Sequence, residues 1–309
     1  MKDLFLVPPL LALAVPAAAQ THWTVDDDGP ADFADVAAAV AAVGAGDVLL
    51  IEPGNYGPVT LTKRLSLLGD PSGERPHLAS LTVDGPPGFD LAHLALGATV
   101  VRNALGHARV DDCEIVGNLG LRALQVRDSG PLLLQRSLVT GPFLHTDGVV
   151  AVTVEGASVV ALVDSQIIGG DAGKEAPFFV AGWGGHGLEV GDTSAVLVAG
   201  CTVLGGGGED MPLFFSPWLY PGIGGDAVLA GDSASVDVRG SSDDLLRGGY
   251  TNYFSPASGV DGAAIQITSQ ATVAYSGVTL DGSVDALAAL VAPPEPYLYA
   301  RGDNAPGGL

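Results

Sequence analysis

The residues of this sequence best suited to chemistry are aromatic side chains in loop-like segments. Residues 211–222 read MPLFFSPWLYPG, where three prolines exclude a regular helix or a central strand around four aromatic rings. The faces of tryptophan and tyrosine stack on sugar rings, and these residues also anchor protein interfaces. The other long connections carry similar clusters, so the candidate ligand-binding residues are Trp183, Phe215, Trp218, Tyr220, Tyr250 and Tyr253.

Two interpretations of these rings stay open. In the first, rings from neighbouring loops pack on one another as a small satellite core beside the main one. In the second, part of the aromatic surface stays exposed and binds a ligand, because exposed apolar patches above a few hundred Å² mark binding sites. The two interpretations are compatible, since a packed base can present a few exposed rings.

The charge of the chain limits what such a surface could bind. The 309 residues carry a net charge of -22 with only 13 basic side chains, which disfavours nucleic acid and anionic membranes. A strongly acidic polymer is disfavoured too, unless metal ions bridge it to the protein. Acidic runs at Asp26–Asp28, Asp111–Asp112 and Asp243–Asp244 could hold structural calcium, although such runs are more typical of solvated turns. We predict no other cofactor.

The first 19 residues have the order of a secretory signal peptide. A charged start is followed by an apolar run from Leu4 to Val15 and by an A-x-A-like cleavage site at residues 17–19. This run is short for a membrane span, and no later stretch is long enough for one. The sequence therefore predicts a secreted, cell-surface or periplasmic protein, which we expect to be a monomer.

A repeat in the remaining chain predicts how the aromatic loops are held. Each unit reads as an alternating strand, a polar turn, a second strand, a one-residue kink, a third strand and a glycine. Clear units begin at Leu124, Val152, Leu188, Val228 and Ile265. Because one unit cannot bury its apolar face alone, the units must stack into a coil of parallel strands. We predict an all-β parallel β-helix, a solenoid, over residues 20–290, followed by a tail or linker at 291–309.

One column of mostly small residues fixes the register of the coil. Its members are Leu94, Cys113, Ser137, Ser165, Cys201, Ser241 and Val278. Most follow a glycine or aspartate, which tolerates the left-handed backbone of a sharp bend, whereas His93 and Arg136 fit that position less well. In this register Cys113 and Cys201 are three turns, roughly 14 Å, apart. A disulfide requires Cα atoms within about 7 Å, so we predict two free, buried thiols.

The same register places the loops and the outward residues. The connection after the last glycine of each unit lengthens along the chain while the strands do not, so the long connections leave the coil at one corner and lie side by side. The outward residues of the first strand of each unit are Gln125, Thr153, Glu189, Leu229 and Gln266.

The segment from His22 to Asp70 resembles the opening of the pectin lyase-like superfamily of right-handed parallel β-helix proteins, and especially that of pectin methylesterases. The resemblance rests on Phe33, an Ala/Val-rich helix, Gly46-Asp47, Ile51, Pro53-Gly54, Tyr56, Leu65 and Leu67-Leu68-Gly69. We expect the helix at about residues 32–43, with Asp32 as its N-cap. In this superfamily such a helix caps the open end of the coil. The resemblance implies a fold much more firmly than a chemistry.

Superfamily enzymes act on the outer face of the first strand of each turn, so the resemblance directs attention to possible catalysis. HTDG at residues 145–148 and GGHGLEVGD at 184–192 resemble two polygalacturonase motifs, which makes Asp147 and His186 the candidate catalytic residues. His145 stands where that motif has asparagine, and the paired aspartates and the Arg-x-Lys clamp of those enzymes are absent. A calcium-dependent lyase would need several carboxylates on this face, where the pattern gives only Glu189.

Two functions follow from this pattern. The first is an exported β-helix protein without catalytic machinery that binds a polysaccharide or cell-surface glycan, or that serves as a secreted structural module. The alternative is a divergent polysaccharide lyase or glycoside hydrolase acting on a uronic-acid polymer. Glycan binding requires exposed rings on the aromatic loops, whereas catalysis requires Asp147 and His186 to share a cleft with another carboxylate.

Overall fold

A computed structural model describes residues 20–85, 88–118, 120–143, 147–172, 182–208, 223–250 and 261–287. In these residues the chain forms one short helix and 28 short strands. The helix α1 is Val36–Ala42. The strands are β1 (His22–Val25), β2 (Val48–Ile51), β3 (Asn55–Tyr56), β4 (Val59–Leu61), β5 (Ser66–Gly69), β6 (His77–Leu78), β7 (Leu81–Asp84), β8 (Phe89–Ala92), β9 (Ala95–Leu96), β10 (Thr99–Arg102), β11 (Ala108–Asp111), β12 (Glu114–Val116), β13 (Leu124–Arg127), β14 (Pro131–Gln135), β15 (Leu138–Thr140), β16 (Val152–Glu155), β17 (Val159–Val163), β18 (Gln166–Ile168), β19 (Leu188–Val190), β20 (Ala195–Ala199), β21 (Thr202–Leu204), β22 (Val228–Ala230), β23 (Ser235–Arg239), β24 (Leu245–Arg247), β25 (Ile265–Thr268), β26 (Thr272–Ser276), β27 (Thr279–Asp281) and β28 (Val284–Leu287).

The strands form three parallel sheets, and each full turn of the coil gives one strand to each sheet. Sheet A has the order β1-β2-β5-β8-β11-β14-β17-β20-β23-β26. Sheet B runs β3-β6-β9-β12-β15-β18-β21-β24-β27, and sheet C runs β4-β7-β10-β13-β16-β19-β22-β25-β28. Since every strand pair is parallel and joins successive turns, the predicted parallel β-helix is confirmed. The predicted segments 1–19 and 291–309 lie outside the described residues.

The predicted interior column is confirmed except at Ser241, which is exposed. Val203 pairs with Leu246, so three extra residues follow Arg239 and Asp244 takes the place level with Cys201. Ser137, Ser165 and Cys201 are all buried. Each side chain accepts a hydrogen bond from the backbone N–H one turn below: Cys113 N–H donates to Ser137 Oγ (3.1 Å), Ser137 N–H to Ser165 Oγ (3.1 Å), and Ser165 N–H to Cys201 Sγ (3.4 Å). The column is therefore a polar ladder inside an apolar coil, which satisfies buried backbone donors that no strand pairs.

Six of the seven bends predicted before this column are left-handed, including the two whose residues suit that backbone less well, and Gly240 is the exception. His93 and Arg136 have φ angles of 57° and 47°. Their side chains are held by acidic neighbours, since the His93 ring lies 3.0 Å from Asp112 and the Arg136 guanidinium donates to Asp111 at 2.6 Å. These contacts offset the cost of a left-handed backbone at a residue with a Cβ atom.

The N-terminal helix is shorter than expected, and the predicted N-cap is wrong. The helix is capped by Asp35, whose carboxylate accepts from the Ala38 N–H at 2.9 Å. Asp32 instead accepts from the backbone and the hydroxyl of Thr24, which keeps residue 32 beside β1 rather than at a helix start. The buried face of the helix joins the main core through Val36, Ala39 and Val40.

Both cysteines are free and buried, as predicted from the register. Burial raises the pKa of the Cys113 and Cys201 thiols to about 11, because an apolar interior disfavours the thiolate.

We expect the native protein to resist thiol reagents. At pH 8 only about one thiol in a thousand would be ionised at this pKa, and neither side chain is open to solvent. A disulfide-exchange reagent should label no thiol in the folded chain and two thiols per chain in denaturant. Rapid labelling of the folded chain would show that the column does not lie inside the coil.

Candidate functional site

Glycine pairs build the corner between sheets B and C, from which the long connections leave. Backbone segments that leave the coil after sheet B alternate there with segments that return to sheet C. One series of N–H···O=C hydrogen bonds joins them: Gly170 to Val149, Gly185 to Gly170, Gly206 to Gly185, Gly225 to Gly206, Gly249 to Gly225 and Gly262 to Gly249, at 2.7–2.9 Å. We call this series the glycine stack.

No side chain fits inside the glycine stack. A Cβ atom on Gly206 would lie 2.0 Å from the carbonyl oxygen of Gly170. On Gly225 it would lie 2.1 Å from the oxygen of Gly185, and on Gly249 it would lie 1.8 Å from the oxygen of Gly206. Each segment thus touches a third neighbour besides its two hydrogen-bond partners, and the stack gives the loops a closely packed base.

A cleft of about 360 Å³ lies beside the glycine stack on the outer face of sheet B. Its floor is one outward column, in which Ile168 pairs with Leu204 and Leu204 with Arg247. Phe143 and Tyr250 line it from different turns of the coil, and they are 53% and 51% exposed. We call it the corner cleft. It combines a floor of two aliphatic side chains and one arginine with two open rings, the composition expected of a ligand site.

Polar groups in the corner cleft are fixed by short contacts. The Arg247 guanidinium carbon lies 5.1 Å from the centre of the Tyr250 ring, a cation–π contact. The Tyr250 hydroxyl donates to Asp281 at 2.9 Å, and this hydrogen bond raises the pKa of the tyrosine. Asp171 accepts from the Gly207 N–H at 2.7 Å. The Tyr250 ring is therefore held in place before any ligand arrives.

Trp183, a predicted binding residue, is 60% exposed on the segment that returns to sheet C. Asp147, a predicted catalytic residue, has a backbone role here, because its carboxylate accepts from the Trp183 N–H at 3.0 Å. The Gly148 N–H in turn donates to the Trp183 carbonyl at 2.6 Å. Phe215, Trp218, Tyr220 and Tyr253 lie outside the described residues, so their binding role stays a prediction.

His186, the second predicted catalytic residue, contacts an aspartate that the sequence did not indicate. Its Nδ1 atom lies 2.9 Å from the Asp226 backbone nitrogen and 3.2 Å from the Asp226 carboxylate. The other carboxylate oxygen of Asp226 accepts from the Ala263 N–H at 2.8 Å. In the described part of the chain no hydrogen bond joins His186 to Asp147, so catalysis by that pair stays a prediction.

The outer face of sheet C carries a second polar cluster. The strand register places Gln125, Thr153 and Glu189 in one outward column, as predicted. Sequence analysis missed Glu155, although alternation along β16 puts it on the same face as Thr153. It also missed Arg122, which lies outside the strands, two residues before β13 begins.

Arg122 connects the two carboxylates of this cluster. Its guanidinium donates to Glu155 at 2.9 Å and to Glu189 at 3.1 Å, and Gln125 donates to Glu155 at 3.3 Å. Thr153 beneath them is fully buried, and its hydroxyl has no partner among the described residues. General acid–base catalysis often uses a pair of carboxylates. Here the Arg122 guanidinium binds both carboxylates of the pair.

The predicted calcium sites differ from one another in the structure. The carboxylates of Asp26, Asp27 and Asp28 lie within 4.8 Å of one another, so structural calcium there stays a prediction. Asp111 is bound instead by Arg109 and Arg136, at 2.8 and 2.6 Å. Such ion pairs make the second acidic run a poor cation site, because the carboxylate is already neutralised.

Comparisons with known proteins identify the fold. No family model matches the chain, and no curated protein matches it. Among solved structures, a pectin methylesterase from carrot is similar with a TM-score of 0.52 at 16% identity, over 86% of this chain and 90% of that one. A pectate lyase matches with a TM-score of 0.49 at 11% identity, over 94% of this chain and 91% of that one. The protein is thus a right-handed parallel β-helix, with a fold similar to that of the carrot pectin methylesterase.

The identification stops at the fold. Sequence identity of this order carries no activity from one β-helix to another, because many functions share a fold. Among the described residues no helix is long and apolar enough to cross a membrane.

Proposed function

We propose that this protein binds a polysaccharide or cell-surface glycan in the corner cleft, as an exported module without catalytic machinery. The observation that carries the proposal is the pair of half-exposed rings, Phe143 and Tyr250, on either side of an Ile168–Leu204–Arg247 floor. The faces of aromatic side chains provide contact area for the flat, weakly polar face of a sugar ring. Polar groups that are fixed in place then orient the sugar. The structural likeness to the carrot pectin methylesterase is consistent with a polysaccharide ligand.

The charge around the corner cleft favours a neutral sugar. Arg247 already lies on the Tyr250 ring, and Asp171 and Asp281 lie close to the same surface. With a net charge of -22, the protein would repel a polyanion over most of its surface. Neutral hydroxyl groups can instead donate to the two aspartates and accept from the arginine.

Removal of the Tyr250 ring should weaken glycan binding about tenfold, which corresponds to about 1.4 kcal/mol. The loss combines ring stacking with release of the Arg247 contact. A glycan array selects the ligand, and calorimetry then compares the wild type with Tyr250→Ala. Leu105→Ala is the matched control, because Leu105 is a 79% exposed apolar residue outside the corner cleft. Failure to bind any glycan would reject the proposal, and so would binding as tight as the wild type's in both Tyr250→Ala and Phe143→Ala.

A second candidate function is cleavage of a uronic-acid polymer at the sheet C cluster. It is favoured by Glu155 and Glu189 sharing Arg122, and by the unpaired hydroxyl of buried Thr153. Release of reducing ends or unsaturated products from polygalacturonate tests this candidate directly. Activity lost in Glu189→Gln but kept in Tyr250→Ala would assign a reaction to sheet C. Absence of turnover alongside Tyr250-dependent binding would leave only the binding function.

A further inference from the structure

The outer face of sheet A carries an open apolar patch at the middle of the coil. Strands β14, β17 and β20 are paired over five residues each. Their outward side chains are apolar except Gln135, and Val159, the first residue of the central strand β17, is 49% exposed. A shallow groove of about 600 Å³ crosses this face between Leu133 and Leu197. Exposed apolar faces of this kind mark interaction surfaces.

Two charged strands border the patch, and their charges have opposite order. On β11, one rung below the patch, Arg109 is followed on the same face by Asp111, a largely buried carboxylate that Arg109 and Arg136 both contact. On β23, one rung above it, Asp237 is followed on the same face by Arg239. The register aligns Arg109 with Asp237 in one outward column, which passes through Leu133, Ala161 and Leu197.

We propose that this face binds a second copy of the chain, through a two-fold axis that runs along β17. Under such an axis, each outward residue faces a residue of the second copy. The two residues lie the same number of rungs from β17, one below it and the other above it. Arg109 then faces Asp237 of the second copy, and Asp111 faces Arg239. The pattern is self-complementary, as an isologous interface requires, and the homodimer replaces the monomer expected from the sequence.

The apolar positions match under the same axis. Leu133 faces Leu197 of the second copy, while Val159 and Ala161 each face their own counterparts. One rung farther out Asp90 faces Ala274, so this rung brings no like charges together. Two opposed sheets of this kind pack about 10 Å apart, a spacing that Val, Leu and Ala side chains fill.

The long connections begin and end at the corner of the coil that sheet A does not form. They leave at the glycine stack, between sheets B and C, whereas short turns border sheet A on both sides. Five rungs at about 4.8 Å and five residues at about 3.4 Å give a footprint of roughly 400 Å². This is about half of the roughly 800 Å² per partner of a standard interface, so we expect a weak dimer with a Kd in the micromolar range.

Sedimentation velocity over a concentration series tests the proposal. The wild type should change from monomer to dimer as concentration rises. Val159→Asp should weaken the dimer at least tenfold, because it places two carboxylates opposite each other on the axis. The double variant Asp237→Arg/Arg239→Asp should do the same, although it keeps the net charge and the ion pair within the strand. Val116→Asp is the control, because Val116 is an exposed valine on the outer face of sheet B.

Three results would overturn the proposal. If the wild type stays monomeric up to a protein concentration of about 1 mM, the face does not bind a second copy. Its partner would then be another protein or residues 288–309. A dimer that survives Val159→Asp would use another surface. A dimer lost in Val159→Asp but intact in the double charge variant would use this face without the proposed two-fold arrangement. Circular dichroism on each variant shows that the coil remains folded.

Discussion

Gly206→Ala is expected to destabilise the protein by about 3 kcal/mol or more, as for an overpacked interior. The added Cβ would lie 2.0 Å from the oxygen and 2.5 Å from the carbon of the Gly170 carbonyl. Both are backbone atoms, so no side chain can turn aside to make room. The hydrogen bonds from Gly206 to Gly185 and from Gly225 to Gly206 would be displaced as well.

Gly57→Ala is the matched control for this prediction. No heavy atom lies within 4 Å of a Cβ built at Gly57, and its φ lies outside the left-handed range. The control should be neutral or slightly stabilising, since alanine reduces the freedom of the unfolded chain. Urea unfolding followed by circular dichroism compares the variants. Equal midpoints for Gly206→Ala and the wild type would show that the glycine stack is not closely packed.

The glycine stack explains why so many of the glycines occur in pairs at the ends of the repeat units. The chain has 44 glycines, and the pairs at the ends of the repeat units predicted a corner but not its packing. Gly206 bonds to Gly185 on one side and to Gly225 on the other, across segments of unequal length. Alternation of leaving and returning segments is a tertiary arrangement, which no local pattern encodes.

Side-chain positions that follow the strict period of the strands could be predicted from the sequence. Side-chain contacts between distant turns of the coil could not. The interior column through Ser165 and the outward column through Glu189 follow from alternation of side chains along each strand. Arg122 reaches Glu155 and Glu189 across 33 and 67 positions of sequence, so no spacing rule could connect them. The N-cap error at Asp32 has a local cause, since several nearby aspartates are suitable caps and the contact with Thr24 selects Asp35.

The three faces of the coil thus have separate assignments. Sheet B, beside the glycine stack, carries the corner cleft, and sheet C carries the Arg122 cluster. Sheet A carries the proposed dimer patch, which is centred on β17. A dimer through sheet A would leave sheets B and C open to ligand, so two corner clefts on one dimer could hold the same polymer. Such bivalent binding strengthens attachment without any new contact.

Ser165→Ala is expected to destabilise the protein by about 2 kcal/mol, within the range for an orphaned buried donor. Ser165 Oγ accepts from the Ser137 N–H at 3.1 Å and donates to the Val163 carbonyl at 2.7 Å. The Ser137 N–H has no other acceptor among the described residues, because it points into the coil rather than along a sheet. Without the hydroxyl, this donor is buried in an apolar core where water cannot replace the acceptor.

Ser165→Cys separates loss of the ladder from any other effect at this position. Cys201 occupies the same column one turn above, where its sulfur accepts from the Ser165 N–H at 3.4 Å and donates to the Ala199 carbonyl at 3.3 Å. A cysteine at 165 can therefore continue the ladder, and we expect it to cost less than half as much as alanine. Urea midpoints for the two variants provide the comparison. If alanine is tolerated as well as cysteine, the column stabilises the coil by its small size alone, and its hydrogen bonds contribute nothing measurable.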